Sequence, residues 1–160
     1  MHSDRNPYDV RLAFVLDDEA KFGAALTKML DTIGISARSF ITPAEFLNAV
    51  DGENPDLVFL DLALGQSDAV EVIRQLEARK FAGQVMLISG RDARTLLDVE
   101  QIGRERGLHM LPSLPKPFRV HDIRENLLPA PALQPELWDG MDVGKANLAA
   151  RQSAQTERIR

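Results

Sequence analysis

Asp17 and Asp18 directly follow a short apolar run, Leu12-Ala-Phe-Val-Leu16, and Asp61 closes a second, Leu57-Val-Phe-Leu60. Ser89 closes a third, Gln84-Val-Met-Leu-Ile88, and Lys116 stands between Pro115 and Pro117 after a weaker run at Leu108–Leu111. If these runs are strands of one parallel sheet, the five residues meet at its carboxyl edge, where open α/β sheets form their sites. Two carboxylates about 5 Å apart repel by roughly 3 kcal/mol at an effective dielectric near 20. Three together must take up a proton or attract a cation, and oxygen donors completed by water suit Mg2+. A carboxylate left accessible beside such an ion and Lys116 can attack phosphorus. The ion and the ammonium would neutralise charge on the transferring phosphoryl oxygens.

Each residue also has an ordinary explanation by itself. Acids such as Asp17, Asp18 and Glu19 favour the start of a helix. Asp61 and Ser89 could be turn residues, and Lys116 a solvated loop lysine. Ordinary explanations account poorly for all five falling after four different runs.

The elements needed to place them are legible. Phe22, Leu26, Met29, Leu30 and Ile33 recur at helical spacing, and Gly34 stands where a helix ends. A short run over Ile35–Phe40 follows. Thr42-Pro43 reads as an N-cap with proline at the first helical position, leading to Phe46, Leu47 and Val50. Asn54-Pro55 marks a turn. Val70, Val72, Ile73 and Leu76 line a third helix; Leu96, Leu97, Val99 and Ile102 line a fourth, closed near Gly103 or Gly107. Ile123, Leu127 and Leu128 line a last one over Val120–Leu128. Strands apolar on both faces, alternating with helices, predict a five-stranded doubly wound α/β domain with right-handed parallel crossovers.

The 160 residues suit one domain with some length to spare. Residues 1–9 read as a loose polar arm, 10–128 as the domain, and 129–160 as a proline-rich linker over Pro129–Gly144 followed by a helix-capable tail. Trp138, within that linker, is expected to dock on the domain. No apolar run approaches the length of a membrane span, and the polar start resembles no signal peptide. The absence of cysteine excludes disulfides and thiolate chemistry and agrees with a cytoplasmic protein. A net charge of −5 without a basic stripe argues against nucleic acid as partner.

Together the motifs Phe14-Val-Leu-Asp-Asp-Glu19, Leu57-Val-Phe-Leu-Asp-Leu62, Val85-Met-Leu-Ile-Ser-Gly90 and Leu114-Pro-Lys-Pro-Phe118 resemble the receiver domain of two-component response regulators. The resemblance covers Val10 to Leu128 and implies a flavodoxin-like sheet of strand order 2-1-3-4-5. It implies that Asp61 is the phosphoacceptor, that Asp18 ligates Mg2+ directly, and that Asp17 holds it through water. Ala63 would contribute its backbone carbonyl, while Ser89 and Lys116 would each bind a phosphoryl oxygen. The Lys116-Pro117 bond is expected to be cis, which proline tolerates. The implied phosphodonor is a sensor histidine kinase or a phosphotransfer protein, and homodimerisation stays open. The output partner is not implied.

Two departures stand out. Ser113 occupies the position where many receivers carry an aromatic ring that swings inward on phosphorylation, and Asp68-Ala69 replaces a frequent Asp-Gly pair. The stretches Leu87-Ile-Ser-Gly-Arg-Asp-Ala93 and Leu114-Pro-Lys-Pro-Phe-Arg119 further resemble receivers joined to cyclic-di-GMP phosphodiesterase domains, although no Glu-Ala-Leu signature is present. Two other classes compete with a phosphorylated switch. A phosphohydrolase with an aspartate nucleophile would need a second acid where Ala63 stands. A non-phosphorylated pseudo-receiver would not need all five site positions intact. The expectation is therefore a signalling module and not an enzyme.

Overall fold

A computed structural model describes residues 8–64, 67–90 and 93–127. The elements in chain order are β1 (Leu12–Leu16), α1 (Ala20–Asp31), β2 (Ser36–Phe40), α2 (Pro43–Glu53), β3 (Leu57–Asp61), β4 (Ala63–Leu64) and β5 (Ser67–Asp68). They continue with α3 (Ala69–Ala78), β6 (Gln84–Ser89), α4 (Ala93–Glu105), β7 (His109–Met110), β8 (Leu114–Pro115) and α5 (Val120–Leu127). The expectations for the arm up to residue 7, for the linker and tail, and for Trp138 lie outside the described residues.

The main sheet is parallel, in the order β2-β1-β3-β6-β7, with β8 also against β6. Its central strands alternate side chains between two dry faces, as period-two geometry requires. Phe14, Leu16, Val58, Leu60, Val85 and Leu87 face one cluster, which includes Phe46 and Val50 of α2, Ile73 and Leu76 of α3, and Leu96 of α4. Ala13, Val15, Leu57, Phe59, Met86 and Ile88 face the other, with Leu26 and Leu30 of α1 and Ile123 and Leu127 of α5. Each fully buried Leu, Ile, Val or Phe contributes about 1.5–3 kcal/mol. The layered core therefore holds the strand ends in place. No helix among the described residues is long and apolar enough to cross a membrane.

Local signals act as expected at several boundaries. Gly34 takes φ 81°, in the left-handed region beyond α1. The Thr42 hydroxyl accepts from Glu45 N at 3.3 Å, with Pro43 in the first turn of α2. Asn54, with φ 53°, ends α2.

The fifth strand differs from the expectation of one run over Leu108–Leu111. It is split into β7 and β8, so the sheet has six strands and its final position is shared by two short pieces. Val85 pairs with Met110 and Ile88 with Leu114, so residues 111–113 pass opposite only residues 86–87. That surplus residue makes a bulge. Its cause is local: Pro112 has no N–H to donate, and Ser113 N is bonded to Glu100 Oε1 at 3.0 Å. The antiparallel pair β4–β5 was likewise not foreseen; Ala63 is level with Asp68 and Leu64 with Ser67.

Candidate phosphoacceptor site

Register brings the acids together. Leu16 pairs with Leu60 across β1 and β3, so Asp17, the next residue, comes level with Asp61. Asp61 in turn pairs with Ile88, which puts Ser89 one step beyond it on β6. Asp17 and Asp61 are buried, 1% and 3% exposed, whereas Asp18 is exposed. One carboxylate oxygen from each of the three lies within 4.8 Å of the others. Lys116 follows β8, and its peptide bond to Pro117 is cis. Its backbone N donates to Ser89 O at 2.7 Å, tying the lysine loop to the end of β6.

The Lys116 Nζ lies 2.8 Å from Asp17 Oδ2 and 3.7 Å from Asp61 Oδ2. Asp17 Oδ1 accepts from Glu19 N at 2.9 Å, and Asp61 Oδ1 from Ala63 N at 3.2 Å. Helix α1 begins only at Ala20, after Glu19 as an N-cap without a side-chain cap bond. Asp17 is thus spent on the site and on its own turn, and the simple helix-start explanation does not describe it.

Burial pushes the Asp61 carboxyl up from 3.8 to about 6, and the nearby Asp17 charge adds to the rise. The Ala63 N–H and the Lys116 ammonium oppose it without cancelling it. Two buried carboxylates therefore share one ammonium, and the cluster remains short of positive charge. Hard oxygen donors at this spacing, one of them open to water, fit a divalent cation such as Mg2+.

Asp17, Asp18, Asp61 and Lys116 meet directly in this geometry. Ser89, fully buried, sits at the end of the adjoining strand, and Ala63 reaches Asp61 through its amide. The sequence reading placed Phe22 only on a helix face and did not single out Glu100. Phe22 places its ring centroid 3.9 Å from Lys116 Nζ. Glu100, only 1% exposed, accepts from both Ser113 N and Ser113 Oγ, at 3.0 and 2.9 Å, and pairs with Arg104 at 2.9 Å. The available signal for Glu100 was its place in the buried stripe Leu96, Val99, Glu100, Gly103 of α4.

The class defined by fold and site is a doubly wound α/β domain with an acidic cluster and a lysine at the carboxyl edge of its parallel sheet. The family described as response regulator receiver domain matches residues 13–128, and the chain belongs to that family. Among curated relatives, the transcriptional regulatory protein TdiR of Thauera aromatica is 28% identical over 126 residues, covering 79% of this chain and 53% of TdiR. The DNA-binding transcriptional regulator NtrC of Klebsiella pneumoniae is 24% identical over 111 residues, covering 69% of this chain and 23% of NtrC. The chain thus spans between about a quarter and about half of these relatives' lengths. A response regulator from Colwellia psychrerythraea matches with TM-score 0.64 and 27% identity, over 74% of this chain and 94% of that one. A Burkholderia pseudomallei response regulator, solved with a phosphorylated aspartic acid and a calcium ion, shares the fold at TM-score 0.64 and 17% identity, over 91% and 74%. The two curated relatives named here are transcriptional regulators, so they lend no support to the cyclic-di-GMP subtype.

Proposed function

We propose that the chain is a phosphoaccepting signalling module and not an enzyme, in which Asp61 takes a phosphoryl group from a histidine kinase or phosphotransfer protein with Mg2+. The observation that carries this reading is the convergence of Asp17, Asp18 and Asp61 within 4.8 Å, with Lys116 against two of them. An Asp61 oxygen attacks phosphorus; the O–P bond forms as the donor's N–P bond breaks, and the imidazole nitrogen leaves with a proton from solvent. Mg2+, when bound, supplies charge neutralisation on the phosphoryl oxygens. Asp18 and Asp61 would hold it directly, Asp17 through water, and Ala63 through its carbonyl. Lys116 offers an ammonium already oriented between Asp17 and Asp61. Ser89 would donate its hydroxyl to a phosphoryl oxygen, a charge-assisted bond. With its pKa near 6, Asp61 is mostly ionised at pH 7 and able to attack.

The domain would act in the cytoplasm, where a kinase's phosphohistidine is available, and would switch the binding of an output partner without contacting nucleic acid or membrane itself. An arm at 1–9, a domain at 10–128 and a linker with tail at 129–160 complete the proposal. Acetyl phosphate with Mg2+ should add one phosphoryl group by mass, and excess chelator should prevent it. Labelling of Asp61→Asn at the parent's rate would remove Asp61 from its role.

A further inference from the structure

The ammonium of Lys116 has a third neighbour besides its two carboxylates. Phe22, in the first turn of α1, presents its ring 3.9 Å from Lys116 Nζ, well within cation–π range. That ring is itself fixed. It stands edge-on to Phe118 with centroids 5.6 Å apart at 81°, and it packs against the core shared by α1 and α5. We infer that Phe22 is a positioning residue for Lys116, its ring face holding the ammonium at the mouth of the acidic cluster for the incoming phosphoryl group. The inference rests on the proposed phosphoacceptor role.

The physical reason is a contrast between partners. Asp17 and Asp61 attract Lys116 but repel a phosphoryl group, and both carboxylates are candidates to turn toward a cation. The ring carries no net charge, so it neither repels the donor nor competes for the ion. A lysine stem has high rotamer freedom. With 18% of its side chain exposed, Lys116 also has room to swing toward water if its carboxylate contacts loosen. A fixed ring limits that freedom in the free and the loaded site alike.

The test replaces Phe22 with phenylalanines fluorinated progressively on the ring, which keeps the shape while draining the ring's negative face. Phe22→Leu and Phe22→Trp accompany the series. Labelling from acetyl phosphate with Mg2+ should slow stepwise with fluorination, by about 3- to 10-fold at full fluorination. Phe22→Leu should be slowed similarly and Phe22→Trp should retain the parent's rate. Rates indifferent to fluorination would overturn the inference, because packing on Phe118 alone would then explain the ring. A second readout stands apart from phosphorylation. In the metal-free parent, the Lys116 ε-methylene protons should be shifted upfield by the ring, and Phe22→Leu should abolish that shift. If the parent takes no label, the phosphoacceptor reading fails and this shift alone decides the inference; its absence in the parent overturns it.

Discussion

Asp61 carries its charge against its surroundings. Burial at the end of β3 is the largest cause of its raised pKa, and Asp17 adds to it, so the folded carboxyl titrates near 6 where the unfolded one titrates near 3.8. Between those values the folded state binds the proton more tightly than the unfolded state does. Metal-free stability should therefore fall as pH rises through that window. Asp61→Asn removes the penalty and should raise stability at pH 7 by roughly 1–2 kcal/mol, with a flatter profile between pH 4 and 6. Urea unfolding of both proteins in chelator would measure this; an asparagine variant no more stable than the parent would contradict it. Mg2+ should then stabilise the parent, by about 2.7 kcal/mol at a hundred times its dissociation constant, and the variant less. The order of residues along the chain was enough to expect Asp17, Asp18, Asp61 and Lys116 at one sheet edge, and the structure brings them together. The finer balance was not legible: Lys116 lies closer to Asp17 than to Asp61, a matter of side-chain geometry that the order of residues does not carry.

At the scale of elements, the informative region is the broken edge formed by β7 and β8. Segment 111–113 is anchored on three sides: Leu111 N donates to Val85 O at 2.8 Å, Ser113 to Glu100, and Asn126 Nδ2 to Pro112 O at 2.8 Å. Where the sequence suggested that Ser113 merely lacks a ring, the structure gives it a buried carboxylate partner on α4. Glu100→Leu would leave the Ser113 N–H without that acceptor and should cost about 1–3 kcal/mol, while Glu100→Gln should cost less because an acceptor oxygen remains. Amide exchange at Ser113 should quicken in the leucine variant only. Equal stability and exchange in all three proteins would show the contact to be idle. Gly83 stands at the entry to β6, against the turn that leads into β3. A Cβ there would meet Phe81 Cζ at 2.5 Å and the backbone oxygens of Asp56 and Pro55 at 2.8 Å. Gly83→Ala should thus destabilise by about 1–3 kcal/mol in thermal unfolding. Helix α4 was legible from Leu96 and Val99, yet Leu97 and Ile102 prove only partly buried and a glutamate takes the inward place. Periodicity locates a face; it does not reveal that a charged member of the face will find partners inside.

Across the whole molecule, the two-sided core explains why so much was readable. Runs such as Leu57–Leu60 and Val85–Ile88 are buried on both faces, which leaves only a central parallel strand as their explanation. Once three such strands alternate with amphipathic helices, handedness and edge effects bring their carboxyl ends to one place. The split fifth strand and the β4–β5 pair were not readable, because two-residue bridges arise from tertiary contacts and leave no periodic trace. The described residues thus form a layered frame that presents Asp61, Asp17, Asp18 and Lys116 on one rim. The most direct test of that arrangement is to phosphorylate the parent with acetyl phosphate and Mg2+, reduce the product with borohydride, and map the modified residue by mass spectrometry. Reduction of an aspartyl phosphate leaves homoserine in its place. Homoserine at position 61 alone is the expected result; homoserine at position 17 or 18, or an unmodified Asp61 in a labelled protein, would contradict the assignment.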